Sequence, residues 1–158
     1  VHSSAAEIDL MKRRGVFIAH CAASNMNICS GVAPVRTYLA RGMNVGLGTD
    51  VAGGFSDSVF RAMSDAIQAS KLRWRLTDDS LAPLTVSEAF YLGTKGGGAF
   101  FGKVGSFEAG YEFDALVIDD AGLPHPQPLT PAERLERVVY LSDDRHISGK
   151  YVAGARVR

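Results

Sequence analysis

Apolar residues along the chain fall into short blocks whose spacing alternates between helix and strand periods. "AAEIDLMKRRG" (5–15) places Ile8 and Met11 one turn apart, with Leu10 between them, and ends in basic residues and Gly15. That pattern predicts a short helix with a glycine stop. "VFIAH" (16–20) is short, apolar and β-prone, which predicts a buried strand. Val32, Val35 and Leu39 recur at helical spacing, with Ser30 as the expected cap and Gly42 as the stop. "MNVGLGTD" (43–50) reads as the next strand, and Val59, Met63 and Ile67 open another helical pattern. Strand, helix, strand, helix with short links predicts parallel βαβ units, whose buried strands are near-continuous apolar runs.

Beyond this the signals are mostly caps and turns. "TVSE" (85–88) is a capping box that starts a helix over Ala89, Phe90 and Leu92, and Gly96–Gly98 weaken its continuation. "DALVIDD" (114–120) predicts a strand, and "AGLPHPQPLT" (121–130) a loop holding three of the six prolines. Thr130, Pro131 and Glu133 form a second capping box with proline at the first helical position. "GKYVAGARV" (149–157) predicts a hairpin turning near Ala153-Gly154. The character changes between residues 105 and 113, so two units are expected: an α/β unit over 1–110 and a small β-containing unit over 111–158. No internal repeat is present.

Composition narrows the classes of function. The 158 residues can bury a core of ordinary size, with 46% hydrophobic and 22% charged residues. A net charge of zero gives no reason to expect nucleic acid, an anionic membrane or a polyanionic substrate. No apolar run reaches the roughly 18 residues of a membrane span. Cys21 and Cys29 read as reduced thiols of a cytosolic protein, and neither belongs to a C-x-x-C pair. The His/Cys/Cys zinc deaminases are therefore not expected. Two β/α units alone would leave a parallel sheet with two open edges, and the chain opens on Val1. The expectation is a portion of a longer protein whose other strands lie upstream.

Candidate chemistry centres on Asp50, which ends a strand between two pairs of glycines in "GLGTDVAGG" (46–54). Ligands and reactive groups in parallel α/β folds gather at the carboxyl ends of strands. From spacing alone, however, such an aspartate is more often a helix cap or an acceptor for loop amides. Gly53 and Gly54 allow close approach of a ligand to backbone. His20 ends the preceding strand, and Ser24 and Asn25 follow in a loop expected beside that of Asp50. The four side chains can form a polar pocket, although a lone histidine on an apolar run is more often a satisfied core residue. His125 sits between prolines and reads as solvated, while His146 after Asp143 and Asp144 reads as a polar connection. No G-x-S-x-G, G-x-G-x-x-G or P-loop occurs, so serine-nucleophile chemistry and nucleotide cofactors lack support.

"RGVFIAHCAASN" (14–25), "SGVAPVRTYLARGMNVGLGTDVAGG" (30–54) and "VGSFEAGYEFDALVID" (104–119) resemble the amidohydrolase superfamily and, within it, the guanine deaminase family. The resemblance extends to "YLSDDRHISGKYVAGARV" (140–157). H-C-x-x-S-N and G-T-D are shared across the superfamily, whereas "VAGG" with the following Ser56 is more discriminating. The resemblance implies the C-terminal part of a (β/α)8 TIM-type barrel, with "VFIAH" as the seventh strand and "NVGLGTD" as the eighth, plus the C-terminal part of a small composite β domain. It implies zinc-assisted hydrolysis of guanine to xanthine and ammonia by a cytoplasmic, homodimeric parent enzyme. Asp50 takes the position of the eighth-strand aspartate, both metal ligand and proton acceptor. His20, Ser24 and Asn25 surround it without ligating, and Gly53 and Gly54 leave room for a flat purine.

Departures from the family pattern are specific. The chain contains no H-x-H, and the remaining ligands are expected upstream of Val1. His2 aligns with a variable position and is not assigned to the site. Ala22 stands where proline is usual, and Lys95, Phe100 and Phe101 replace small or aliphatic residues. The isolated residues are therefore expected to be inactive. Alternatives are an amidohydrolase acting on another aminated or chlorinated heterocycle, and a truncated chain serving as a non-catalytic scaffold.

Overall fold

Two four-residue strands, both predicted, lie side by side and run parallel. In a computed structural model that describes residues 1–157, β1 (Phe17–His20) pairs with β2 (Asn44–Leu47) in a register that sets Phe17 against Asn44 and His20 against Leu47. The ladder continues one step further, because Gly48 N–H donates to His20 C=O at 3.1 Å. The carboxyl ends of both strands therefore open at the same place.

The expected helices form, with differences in how they begin. α1 (Ala5–Arg13) is capped by a Ser4–Glu7 capping box and ends before Gly15, whose φ of 65° favours glycine. α3 (Val35–Ala40) starts at Pro34, not at the expected Ser30. The Ser30 hydroxyl instead donates to the backbone carbonyl of Asn25 at 3.2 Å, so it closes the preceding turn. The segment after β1, expected as a loop, is a short helix, α2 (Ala22–Asn27), which buries Ala22, Ala23 and Ser24. Small side chains let it pack closely, and it touches the long helix α4 (Val59–Leu76).

α4 is the spine of the structure. Ala62, Met63, Ala66, Ile67, Ala69 and Ser70 form its buried stripe at helical spacing. Around it close Val35 from α3, Val45 from β2, and Ala89 from α5 (Val86–Tyr91). The glycines after α5 do not end the helix. They carry it through a π-helical turn, Leu92–Gly96, which seats Leu92 fully in the core.

The second sheet is antiparallel, in the order β3 (Ala115–Ile118), β4 (Ile147–Val152), β5 (Ala155–Val157). Ala153 and Gly154 turn the predicted hairpin with φ of 48° and 80°, the left-handed geometry that two-residue hairpins favour. Asp114 fixes the turn by accepting from Ala153 N–H at 2.8 Å. α6 (Pro131–Leu141) starts at the Thr130–Glu133 box and places Val139 in the same core as Ile67. His146 closes a capping box with Asp143 on a short 3-10 turn, as expected of a polar connection. Lys95 pairs with Glu108 at 2.5 Å, while Phe100 and Phe101 stack edge-to-face and stay 65% and 80% exposed. No described helix is long and apolar enough to cross a membrane.

Candidate active site

Asp50 lies three residues beyond the last residue of β2, in the left-handed region at φ 51°. Aspartate tolerates that conformation better than most residues because its short polar side chain bonds locally. Its carboxylate is exposed, and Ser24 Oγ donates to its Oδ2 at 2.6 Å. Ser24 comes from α2, which follows directly from the end of β1, so strand pairing brings residues 26 apart in sequence into contact. The cap reading of Asp50 does not hold, since the next helix is capped by Ser58, whose side chain accepts from Arg61 N–H.

The glycines behave differently from the expectation that they open space for a flat ligand. A Cβ placed on Gly53 would lie 2.5 Å from Ser24 Oγ and 3.0 Å from Asp50 Oδ2. One on Gly54 would lie 2.1 Å from the Thr49 carbonyl oxygen. The first position is filled by Ser24 of α2 and the second by the loop folding back on itself. Gly54 N–H donates to Asp50 C=O, and Asn27 Nδ2 donates to Gly53 C=O at 2.8 Å. Asn27 escaped sequence reasoning because nothing marked "NMN" as the exposed turn of a helix.

His20 is 4% exposed, and its Nε2 is buried without a hydrogen-bond partner among the described residues. Burial lowers its pKa to about 4. The ring is therefore neutral at pH 7. Cys21 is held above the ordinary thiol range by burial and then by the charge of Asp50. Asn25 turns away from this group: its Oδ1 and backbone carbonyl face Ser30. His2 bonds the Ser30 carbonyl at 2.8 Å, and His125 bonds Gln127 within its own loop.

Zinc takes three or four protein ligands from histidine, cysteine and carboxylate. Asp50 suits one such position, an exposed carboxylate at a strand end with Oδ1 receiving no hydrogen bond among the described residues. No three His, Cys, Asp or Glu side chains converge among the described residues. The chain fits zinc as the donor of one ligand. A groove of about 770 Å³ is lined by Arg36, Leu39, Pro83, Glu88 and Tyr91 and includes none of the residues around Asp50.

The Amidohydrolase family matches residues 1–157. The guanine deaminase of Dictyostelium discoideum is 34% identical, with the match covering all of this chain and 36% of that protein. A solved guanine deaminase from C. acetobutylicum with guanine in its active site is 51% identical at a TM-score of 0.95, covering all of this chain and 38% of the other. An atrazine chlorohydrolase of Arthrobacter aurescens, solved with zinc, is 24% identical at a TM-score of 0.82 and shares the fold, with 99% of this chain and 34% of that one covered. The chain thus spans little more than a third of the length of these relatives.

Proposed function

Given that the chain belongs to the amidohydrolase family, we propose that its residues form the aspartate side of a zinc-dependent guanine deaminase site. The reaction is guanine plus water to xanthine plus ammonia. The observation that carries this reading is Asp50, presented at the shared carboxyl end of two parallel strands with one oxygen held by Ser24. Zinc, when bound, supplies Lewis-acid chemistry that lowers the pKa of a water to about 7.

Asp50 Oδ1 is the residue's free oxygen, so it is the atom that would hold the metal and take the proton of the attacking water. The water oxygen bonds to C2 of guanine as the C2–N3 double bond opens onto N3. The bond from C2 to the exocyclic amino group then breaks, that group leaving as ammonia with the proton Asp50 returns, while the remaining hydroxyl proton passes to N3 as the C2 carbonyl forms. Ser24 holds the carboxylate, His20 ends the neighbouring strand, Asn25 holds the turn at Ser30, and Gly53 and Gly54 close the loop that carries Asp50. The same reading carries a cytoplasmic location, a homodimeric parent and a division at residue 110 between barrel and β domain. The 51% identity to a guanine-bound structure favours guanine over another heterocycle.

Xanthine formation, followed by absorbance, tests the proposal. In the zinc-loaded enzyme that unites these residues with the histidine ligands, Asp50→Asn is expected to lower kcat at least about a hundredfold. The 158 residues alone are expected to be inactive. Full turnover by Asp50→Asn would overturn the role of Asp50, and turnover by the 158 residues alone would overturn the one-ligand reading.

A further inference from the structure

Ser24 and Asn27 stand three residues apart on α2, so they share one face of that helix. Each reaches the Asp50 loop, Ser24 Oγ at the carboxylate (2.6 Å) and Asn27 Nδ2 at the Gly53 carbonyl (2.8 Å). We propose that α2 is the positioning helix for Asp50, with Ser24 and Asn27 clamping the loop at two points so that Oδ2 is committed and Oδ1 alone meets the reactants. The role of Asp50 rests on the function proposed above, whereas the clamp rests on the contacts themselves.

Three features make the clamp more than an incidental hydrogen bond. Ser24 is 1% exposed, and its only acceptor among the described residues is Asp50. A buried hydroxyl without that acceptor would carry an uncompensated desolvation cost. A Cβ at Gly53 would enter the space between Ser24 and Asp50 and push one of the two side chains aside. Asp50 itself sits at φ 51°, a conformation that persists only when its surroundings determine it. Both clamp residues belong to α2, whose small side chains anchor it to α4. The helix therefore transmits the rigidity of the core to a carboxylate on an exposed loop.

The clamp is tested on Ser24→Ala, Ser24→Thr and Asn27→Ala with two measurements. In the zinc-free enzyme that unites these residues with the histidine ligands, labelled at aspartate Cγ, the Asp50 carbon resonance is expected to move toward that of a solvated aspartate in Ser24→Ala. It should stay near the wild-type position in Ser24→Thr, which keeps the hydroxyl. In the zinc-loaded enzyme, Ser24→Ala is expected to lower kcat about 10–100-fold while KM for guanine changes less than about twofold. Ser24→Thr should recover most of that loss. Asn27 is exposed, so Asn27→Ala keeps the fold and is expected to show the same split, smaller in size. An unmoved Asp50 resonance in Ser24→Ala overturns the proposal, as does a Ser24→Ala enzyme with wild-type kcat, or equal losses in Ser24→Ala and Ser24→Thr. If the wild-type enzyme fails to turn over guanine, the functional reading falls and the carbon resonance still decides the clamp.

Discussion

Gly46 in β2 and Gly97 beyond the π-helical turn meet backbone to backbone: a Cβ on Gly46 would lie 2.7 Å from the Gly97 Cα. Strand and helix approach this closely only because neither carries a side chain at the contact. Gly46→Ala is therefore expected to force the two apart, at a cost of about 1–3 kcal/mol. Urea denaturation with an unchanged m-value would register it as a shift in midpoint.

Gly54 faces a tighter constraint, the Thr49 carbonyl 2.1 Å from its would-be Cβ. The clash is confined to the site loop. Gly54→Ala is expected to lower kcat of the zinc-loaded enzyme about a hundredfold by displacing Asp50 by about an ångström. Far-UV circular dichroism should be unchanged, since no helix of the core contacts the displaced segment through Gly54.

His20 makes stability depend on acid. Its folded pKa of about 4 lies below the ordinary 6.5, because burial favours the neutral ring. Between these values the unfolded chain binds the proton and the folded chain does not, so stability falls as pH drops through that window. At pH 4 and below the loss approaches about 3 kcal/mol. Chemical denaturation at pH 7, 5.5 and 4.5 measures the slope, and His20→Leu should flatten it.

Arg36 ties α3 to the start of α5. Its two terminal nitrogens donate to both oxygens of Glu88 at 2.6 Å, and it also donates to the Ala82 and Pro83 carbonyls. Arg36 holds the Glu88 carboxyl at a pKa of about 2, and Thr85 adds to this by donating to it at the helix cap. This contribution is complete above the ordinary glutamate range and is lost as pH falls toward about 2. Because the pair is partly solvated, Arg36→Met is expected to cost only about 1–2 kcal/mol, read as a lower Tm.

Sequence patterning located both parallel strands, the long helix and two of the capping boxes because each rests on a strong local signal: an apolar run, a helical stripe, or Thr followed three residues later by Glu. It missed α2 because "AASNMN" has no periodic apolar face, and Cys21 provides no side-chain cap. The π-helical turn was invisible for a different reason: the gain comes from packing Leu92 and from the approach of Gly46, both tertiary. At the site, strand adjacency was enough to bring Ser24 to Asp50, whereas His20 makes no hydrogen bond to it among the described residues. The direction of Asn25, the reach of Asn27 and the meaning of Gly53 depended on a helix that the pattern did not contain.

The three glutamate capping boxes each close over three residues, whereas the Ser24–Asp50 contact spans 26. Contacts of short range re-form readily after a local opening, and those of long range depend on everything between them staying in place. The helices are thus built to outlast the arrangement around Asp50. In mild denaturant, the arrangement around Asp50 should dissolve while the helical content is still intact.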